Sequence, residues 1–364
     1  MKCLLLAIFL IFSLTGCWDG VELENRAFTA ALGIDAKDGQ FEFAVICARS
    51  ESDMDDMDTD DDEEEDGGEA AKSTPTQLAK GRRLIEAIHG LDAESSRKLF
   101  LGQTQTAVFG KSLLENEKMF REALNLLESR PDIQRGINIL ATTASVTDIL
   151  SLSPPGESKP GYYAVNFYEI AKKSGGRSFQ QNLEPMMASL RESGAALLPM
   201  IEDDGTVAGA VVVKDYRLSG ELGGSELRGL LWGKSRTCLG AIIAEERRNI
   251  PLTVRRHRSN FHFSEAGGIL RVIIDVRIKG EVSGFWGEAP PALEYEQLIA
   301  GEMQASIHKI QHELKADALG LRRALQKQQH ALYLRYAGTA ERWEQTFAQM
   351  QIVPRVRCDV QVRK

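Results

Sequence analysis

The stretch GGILRVIIDVRIKG, residues 267–280, alternates between apolar and charged side chains over most of its length. Its alternating apolar positions are Val272, Ile274, Val276 and Ile278, and its charged positions are Arg271, Asp275, Arg277 and Lys279. A period of two is typical of a strand with one face in the core and the other in water. The pattern therefore predicts an antiparallel sheet with one solvated face.

The residues around this stretch predict the rest of a C-terminal unit. Strand candidates lie at 236–246, 250–263 and 268–282. A long helical region, from about 292 to 335, is expected to pack on the dry face of the sheet. Its apolar stripe consists of Leu298, Met303, Ile307, Ile310 and Leu314. The chain closes with another alternating segment, in which Cys358 is predicted to be a buried strand residue and not a reactive thiol.

Strand and helix signals alternate before residue 206, which predicts a mixed α/β N-terminal region. Strands are predicted at 26–35, 40–50, 98–110 and 136–144, with the turn Asp38-Gly39 between the first two. Helices are predicted over 73–91, over 113–130 behind a capping box of Ser112 and Glu115, after Ser145 with Asp148, and from 164 to about 198.

These signals predict an α+β fold with several lobes, a mixed α/β N-terminal region and a C-terminal antiparallel sheet packed with long helices. The predicted divisions are a leader at 1–16, an N-terminal region at 17–205 and a C-terminal domain at 206–364. Within the N-terminal region, the prolines and glycines of 151–163 indicate a possible sub-lobe boundary, and an acidic loop occupies 51–68.

The charge of the chain is concentrated in one segment. Residues 51–66, ESDMDDMDTDDDEEED, hold 12 acidic residues and no basic ones, and without them the formal charge of −8 becomes +4. The segment fails the EF-hand pattern, because Asp61 stands where glycine is needed and Gly67 where glutamate is needed. A solvated loop is therefore expected. No basic stripe with interleaved aromatic residues occurs, which argues against nucleic-acid binding.

The N-terminus has the pattern of a lipoprotein leader. Lys2 precedes an apolar run at 4–12, which is shorter than the ~20 residues of a membrane-spanning helix and matches a secretory signal. Residues 14–17, Leu-Thr-Gly-Cys, resemble a bacterial lipobox. We expect cleavage after Gly16 and a diacylglyceryl group on Cys17, which would hold the mature chain outside the cytoplasmic membrane. The alternative is an uncleaved anchor with an incidental cysteine.

Several passages resemble one known family. They are LTGCWDGVELENRAFTAALGID at 14–35, SRKLFLGQTQTAVFG at 96–110, RPDIQRGINILAT at 130–142, LSGELGGSELRGLLWG at 218–233 and LKADALGLRRAL at 314–325. In their sequences and in their order along the chain, these passages are similar to the Ger(x)C family of spore germination lipoproteins, the C subunits of nutrient germinant receptors in endospore-forming bacteria. It departs from the family pattern at 51–66, in a loop that is usually shorter and less charged.

The resemblance implies a non-enzymatic, lipid-anchored receptor subunit on the outer face of the spore inner membrane. It implies integral-membrane A and B subunits as partners, and it transfers a functional role to Cys17 alone. No cofactor, nucleic acid or small-molecule ligand is assigned.

Catalytic and metal-binding patterns are weak. His308 and His312 have a spacing that can chelate zinc, but Lys309 and Glu313 do not complete an HExxH motif. The segment at 229–235 ends in Gly-Lys-Ser, yet a P-loop needs glycine at the position of Arg228. The acidic pairs Asp203-Asp204 and Glu245-Glu246 are expected to be solvated. The sequence therefore predicts no enzyme, no cofactor and no metal site.

One other class of function is left open, an extracytoplasmic solute-binding or cell-wall-associated lipoprotein. Solute binders of this length usually have two similar α/β lobes. The two halves of this chain have unlike patterns, which makes that alternative the weaker one.

Overall fold

A computed structural model describes residues 25–47, 76–152, 164–167, 178–234, 238–240, 242–243, 251–283 and 291–363. Among these residues, nine strands belong to the first sheet: β1 (Arg26–Lys37), β2 (Gln40–Cys47), β3 (Gln77–Gly81), β4 (Lys98–Phe100), β5 (Thr106–Gly110), β6 (Asn138–Thr142), β7 (Ala195–Ile201), β8 (Val207–Lys214) and β9 (Arg217–Gly223). Their order across the sheet is β3-β2-β1-β5-β6-β7-β8-β9, with β4 paired to β1. The central strands β1, β5, β6 and β7 are parallel.

The β1–β2 hairpin confirms the first strand prediction. Asp38 and Gly39 both have positive φ, 52° and 74°, as a two-residue hairpin turn requires. Its neighbours Lys37 and Gln40 pair across the turn. Alternate residues of β1 enter different core clusters on the two faces of the sheet, so this strand is central to the N-terminal region.

In the described part of the N-terminal region, five α-helices and one 3₁₀ turn accompany this sheet, in addition to the helical residues 164–167. They are α1 (Leu84–Glu94), the 3₁₀ turn (Leu101–Gln103), α2 (Lys111–Glu115), α3 (Glu117–Ser129), α4 (Val146–Ser151) and α5 (Leu183–Ser193), and they correct two predictions. The helix predicted over 73–91 was wrong in its first half, because residues 77–81 extend the sheet as β3 beside β2. A Cβ at Gly81 would lie 2.7 Å from the amide nitrogen of Ala87, so the chain turns sharply there before α1 begins.

The predicted capping box of Ser112 and Glu115 is also wrong. Those residues lie inside the short helix α2, and α3 has its own cap, since Asn116 Oδ1 accepts from Met119 N at 3.2 Å. An asparagine between two helical segments can accept hydrogen bonds from the free amides of the second one. The spacing of Ser112 and Glu115 did not indicate that Asn116 is the cap.

The helical pattern predicted from 164 to about 198 is replaced by helix and strand. Residues 164–167 are helical, α5 ends at Gly194 with φ 72°, and residues 195–201 form β7, in which every residue is buried. A short continuous apolar run is typical of a strand that is covered on both faces. Because its apolar residues do not alternate with polar ones, periodicity cannot distinguish it from a buried helix. Of the sub-lobe boundary predicted at 151–163, Ser151 ends α4 and residues 153–163 lie outside the described residues.

In the described part of the chain a second sheet has four strands, β10 (Ile242–Ile243), β11 (Leu252–Ala266), β12 (Ile269–Ser283) and β13 (Gln351–Arg363). They lie side by side in that order. The predicted antiparallel pairing holds for β10, β11 and β12, but β13 pairs with β12 in parallel. The parallel pairing has a topological cause, because the helices between β12 and β13 form a crossover that returns the chain to the same end of the sheet.

The long helical region predicted at 292–335 is present but interrupted. The helices of this half are α6 (Gly224–Leu231), α7 (Ala292–His308), a π-helical turn (Lys309–Glu313), α8 (Leu321–Gln328), α9 (His330–Tyr336) and α10 (Ala340–Gln349). Lys315 and Gly320 have positive φ, 50° and 73°, and the segment from 315 to 320 is not helical. The predicted apolar stripe is confirmed, since Met303, Ile307 and Ile310 are buried in the core.

One core cluster includes side chains from both sheets. The cluster around β12 includes Leu197 of β7, Val212 of β8 and Trp232 beside α6. The boundary predicted between residues 205 and 206 falls inside the β7–β8 hairpin, so the chain stays in the first sheet as it passes that point. The fold is α+β, as predicted, with the first sheet and the second joined through β8, β9 and α6.

Candidate functional site

The predicted lipidation site, Cys17, lies outside the described residues, so the lipid anchor stays a prediction. Where the described chain begins, the Arg26 guanidinium lies 4.9 Å from the centre of the Phe100 ring, and Phe28 makes an edge-on contact with the same ring. Within the described part of the chain, no helix is both long and apolar enough to cross a membrane.

The helices α6 and α7 meet at a polar cluster around Glu302. Arg228 Nε lies 3.1 and 3.0 Å from the two oxygens of the Glu302 carboxylate, and Arg228 Nη2 contacts one of them as well. The indole Nε1 of Trp232, which is fully buried, donates to the same carboxylate at 2.9 Å. Hydrogen bonding to Glu302 raises the pKa of Arg228, so the arginine stays charged. The cluster is a fully paired polar contact within a largely apolar junction.

Close packing of the two helices depends on a glycine. A Cβ placed on Gly229 would lie 2.1 Å from Ser306 Oγ and 2.2 Å from the backbone oxygen of Glu302. Ser306 Oγ itself donates toward the Glu226 carbonyl at 2.6 Å, and Lys309 forms an ion pair with the Glu226 carboxylate at 2.6 Å. The backbones of α6 and α7 therefore approach each other as closely as a residue without a side chain allows.

A second contact joins the segment after α6 to the loop before α8. Asp317 is buried, and its carboxylate accepts from the amides of Leu321 and Arg322, both at 2.8 Å, which caps α8. Burial raises the pKa of Asp317, while those amides and the neighbouring charge of Lys234 oppose the rise. Gly233 lies against Leu319 in the same contact, since a Cβ there would be 2.7 Å from Leu319 Cδ2.

A cavity of about 160 Å³ lies beside this contact, between the end of α5, the turn after β8 and helix α10. It is lined by Ser193, Gly194, Ala195, Lys214, Asp215, Lys315, Ala316, Asp317, Arg322, Ala340, Glu341, Trp343, Glu344 and Phe347. Lys214 and Glu344 form an ion pair. Ser193 Oγ and Trp343 Nε1 are buried and have no hydrogen-bond partner in the described structure. Groups of this kind typically bind buried water, so the cavity is suited to hold water between α5, the turn after β8 and α10.

Two family models match nearly the whole chain. The model for the spore germination protein N-terminal domain matches residues 19–203, and the model described as spore germination B3/GerAC like, C-terminal, matches residues 208–364. The chain belongs to the Ger(x)C family of spore germination proteins. A solved structure, the crystal structure of the GerBC protein, is similar to this Ger(x)C chain with a TM-score of 0.57 and 15% identity, over 94% of this chain and 99% of that one. At that identity the likeness shows a shared fold. No curated protein matches the sequence.

The passages that carried the family resemblance are brought together in the Ger(x)C chain. Asp35 Oδ1, at the end of β1, accepts from Leu113 N at 3.0 Å, and a Cβ at Gly110 would overlap the Asp35 carboxylate. In the C-terminal half, the passage containing Arg228 and Trp232 meets the passage containing Asp317. These residues make contacts between different helices, strands and loops. In the structure they therefore stabilise the Ger(x)C fold.

The histidine pair considered as a metal site is exposed. The rings of His308 and His312 lie 4.9 Å apart, and His308 Nδ1 is 3.8 Å from a Glu313 oxygen. The described residues contain no group of three or more histidine, cysteine, aspartate or glutamate side chains placed to hold a metal ion. Asp203 and Asp204 lie in the turn after β7, where Asp204 Oδ1 accepts from Thr206 N at 2.7 Å. The pair Glu245-Glu246 and the acidic run at 51–66 lie outside the described residues.

Cys358 is half-buried in β13, and burial raises the pKa of its thiol to about 12. The predicted strand is confirmed, but Cys358 is half-buried where the sequence predicted a buried residue. Sequence reasoning missed His257, which is buried in β11 with Nε2 3.0 Å from the Trp232 carbonyl and Nδ1 accepting from Cys238 N at 3.4 Å. Desolvation lowers the pKa of His257, so it remains neutral and completes the polar contacts under Trp232.

Proposed function

We propose that this Ger(x)C chain is a non-enzymatic, lipid-anchored subunit of a spore germinant receptor, required for nutrient-triggered germination. The observation that carries the proposal is the match of both germination-family models, one over residues 19–203 and the other over 208–364. The lipobox at residues 14–17 supports a tether on the outer face of the membrane that becomes the spore inner membrane.

The shape of the described fold supports a coupling role within a complex. One core cluster includes side chains from both sheets, and two of the family passages, 218–233 and 314–325, contribute to it. In a fold of this kind, a structural change caused by binding at one sheet can affect the other sheet through their shared core cluster. Integral-membrane A and B subunits are the proposed partners, and they would supply the membrane spans.

The alternative function, a solute-binding lipoprotein, predicts two similar lobes around a ligand cleft. Here a nine-stranded sheet with a parallel centre is joined to a four-stranded sheet of different topology. That difference favours the receptor-subunit proposal.

The lipid anchor is tested by Cys17→Ala in the spore-forming host. We expect the mature chain to leave the membrane fraction or to accumulate unprocessed, because the thiol that would carry the lipid is gone. Cys358→Ala is the matched control, since it removes a half-buried thiol of β13 and should leave membrane attachment unchanged. A Cys17→Ala chain that is processed and stays fully membrane-bound would refute the anchor.

Complex membership is tested by affinity purification from spore membranes solubilised in detergent. We expect two multi-span proteins to co-purify with the tagged chain, and deletion of the gene to impair germination in response to a nutrient. Recovery of the chain alone, together with normal germination of the deletion strain, would contradict the receptor proposal.

A further inference from the structure

The solvent-facing side of the second sheet carries an array of basic side chains, which we call the basic face. In β12 the odd-numbered positions oppose the buried Val272, Ile274, Val276 and Ile278. The strand register places β11 and β13 residues beside them. The basic face consists of Arg256, Arg258, Arg271, Arg277, Lys279, Arg355 and Arg357.

Three of these arginines form a row across the sheet. Arg258 of β11 pairs in register with Arg277 of β12, which pairs in register with Arg357 of β13. All three are exposed. Side chains in register on neighbouring strands lie about 5 Å apart at Cβ, and like charges in such positions destabilise a sheet. A row of three arginines therefore favours an anionic partner that would offset their repulsion.

The acidic residues on the same side leave most of this charge uncompensated. Asp275 pairs with Arg277 at 3.0 Å, and Asp359 pairs with Lys279 at 3.0 Å. Glu281 pairs with Arg255, at the bulge in β11. No carboxylate of the described residues lies within ion-pair distance of the remaining exposed arginines of the face, which are Arg256, Arg258, Arg355 and Arg357.

The form of the basic face indicates what kind of anion it suits. The row of arginines spans about 10 Å across three strands, and the charges extend about 26 Å along β12. A flat sheet face cannot surround a small anion, but it can meet many anionic groups that lie in one plane. None of the positions on this side is phenylalanine, tyrosine or tryptophan, so the face lacks the stacking platforms of single-stranded nucleic-acid binders.

We infer that the basic face docks on the anionic phospholipid headgroups of a membrane. This contact goes beyond the proposed lipid anchor and does not require it. The nine peptide steps from Cys17 to Arg26 span at most about 32 Å, so a tether at Cys17 would keep the folded body near the bilayer. The basic face would then restrict the orientation of a body that the tether alone leaves free to rotate.

The test uses the chain from residue 17 onward with Cys17→Ser, so that no leader and no lipid can contribute to binding. This chain keeps all the described residues. It is mixed with vesicles of phosphatidylcholine alone or with roughly a third phosphatidylglycerol, and bound protein is measured by flotation. We expect binding to the anionic vesicles only, and loss of binding when salt is raised from about 0.05 to about 0.5 M.

The double variant Arg258→Gln/Arg357→Gln should weaken partitioning to anionic vesicles by about 25-fold, at roughly fivefold for each basic residue near the surface. Lys118→Gln/Arg135→Gln is the matched control, because it removes two exposed basic residues from the N-terminal region and changes the net charge equally. The control should bind within about twofold of the parent chain. Unchanged circular dichroism spectra and melting temperatures of both variants would show that the comparison concerns folded protein.

Three results would overturn the inference. They are no binding to anionic vesicles at low salt, equal losses in the two double variants, and tighter binding to duplex DNA than to the vesicles. None of these results bears on Cys17→Ala, so the lipid anchor and the basic face can fail independently.

Discussion

Glu302 shows, at the scale of the residue, how one side chain joins two halves of a fold. Its carboxylate accepts from Arg228 and from the indole of Trp232, and its backbone oxygen faces Gly229. The sequence did not single it out, because a glutamate beside the apolar stripe of a helix is ordinarily solvated. Only the position of α6 turns it into the centre of a partly buried cluster.

We expect Glu302→Gln to lower the free energy of unfolding by about 2 kcal/mol, because it leaves the Arg228 guanidinium without its counter-charge in a half-buried site. The measurement is urea unfolding of the non-lipidated chain. Glu117→Gln is the matched control, since Glu117 pairs with Arg121 at 2.9 Å on the exposed surface of α3. It should cost about 0.3–0.5 kcal/mol. Equal losses in the two variants would show that the Glu302 cluster adds no stability of its own.

At the scale of elements, the contact between α6 and α7 explains why the SGEL…RGLLWG passage has its composition. Gly229 permits close approach of the backbones, and Arg228 and Trp232 supply the polar contacts to α7. The element that covers α6 could not be predicted from the sequence. Residue spacing reports which face of a helix is apolar, not which element covers that face.

Gly229→Ala is expected to destabilise the chain by about 1–3 kcal/mol, because the new methyl group would overlap backbone atoms of α7 and force the helices apart. Gly301→Ala is the control on α7, where an added Cβ meets no atom within 4 Å. That change should stabilise the chain by about 0.5–1 kcal/mol, because alanine is the better helix former. Thermal or urea unfolding measures both, and a stabilising Gly229→Ala would contradict the close contact.

At the scale of the whole molecule, β8 lies between two cores. Val212 belongs to the cluster that includes β12, whereas Val213 belongs to the cluster beneath β1 and α5. Both side chains are fully buried. Successive residues of a strand point to opposite faces of the sheet, so substitutions at Val212 and Val213 change the packing of different core clusters.

Val212→Ala and Val213→Ala should each lower stability by about 2 kcal/mol. Their effects on hydrogen exchange should differ in location. Val212→Ala is expected to increase amide exchange in β12 and α7, and Val213→Ala in β1 and α5. Identical exchange patterns for the two variants would indicate that the cores open only together.

The sequence by itself determined the features that depend on neighbours along the chain. These are the β1–β2 hairpin with its Asp38-Gly39 turn, the alternation of β12, the apolar stripe of α7 and the family to which the chain belongs. The tertiary structure decided the parallel pairing of β13, the strand β3 in place of a helix, and the burial of His257. It also assembled the basic face from segments that are far apart in the chain and show no linear basic stripe. The physical reason is that periodicity records which side of an element is buried, whereas the choice of partner depends on how all the elements bury their apolar faces at once.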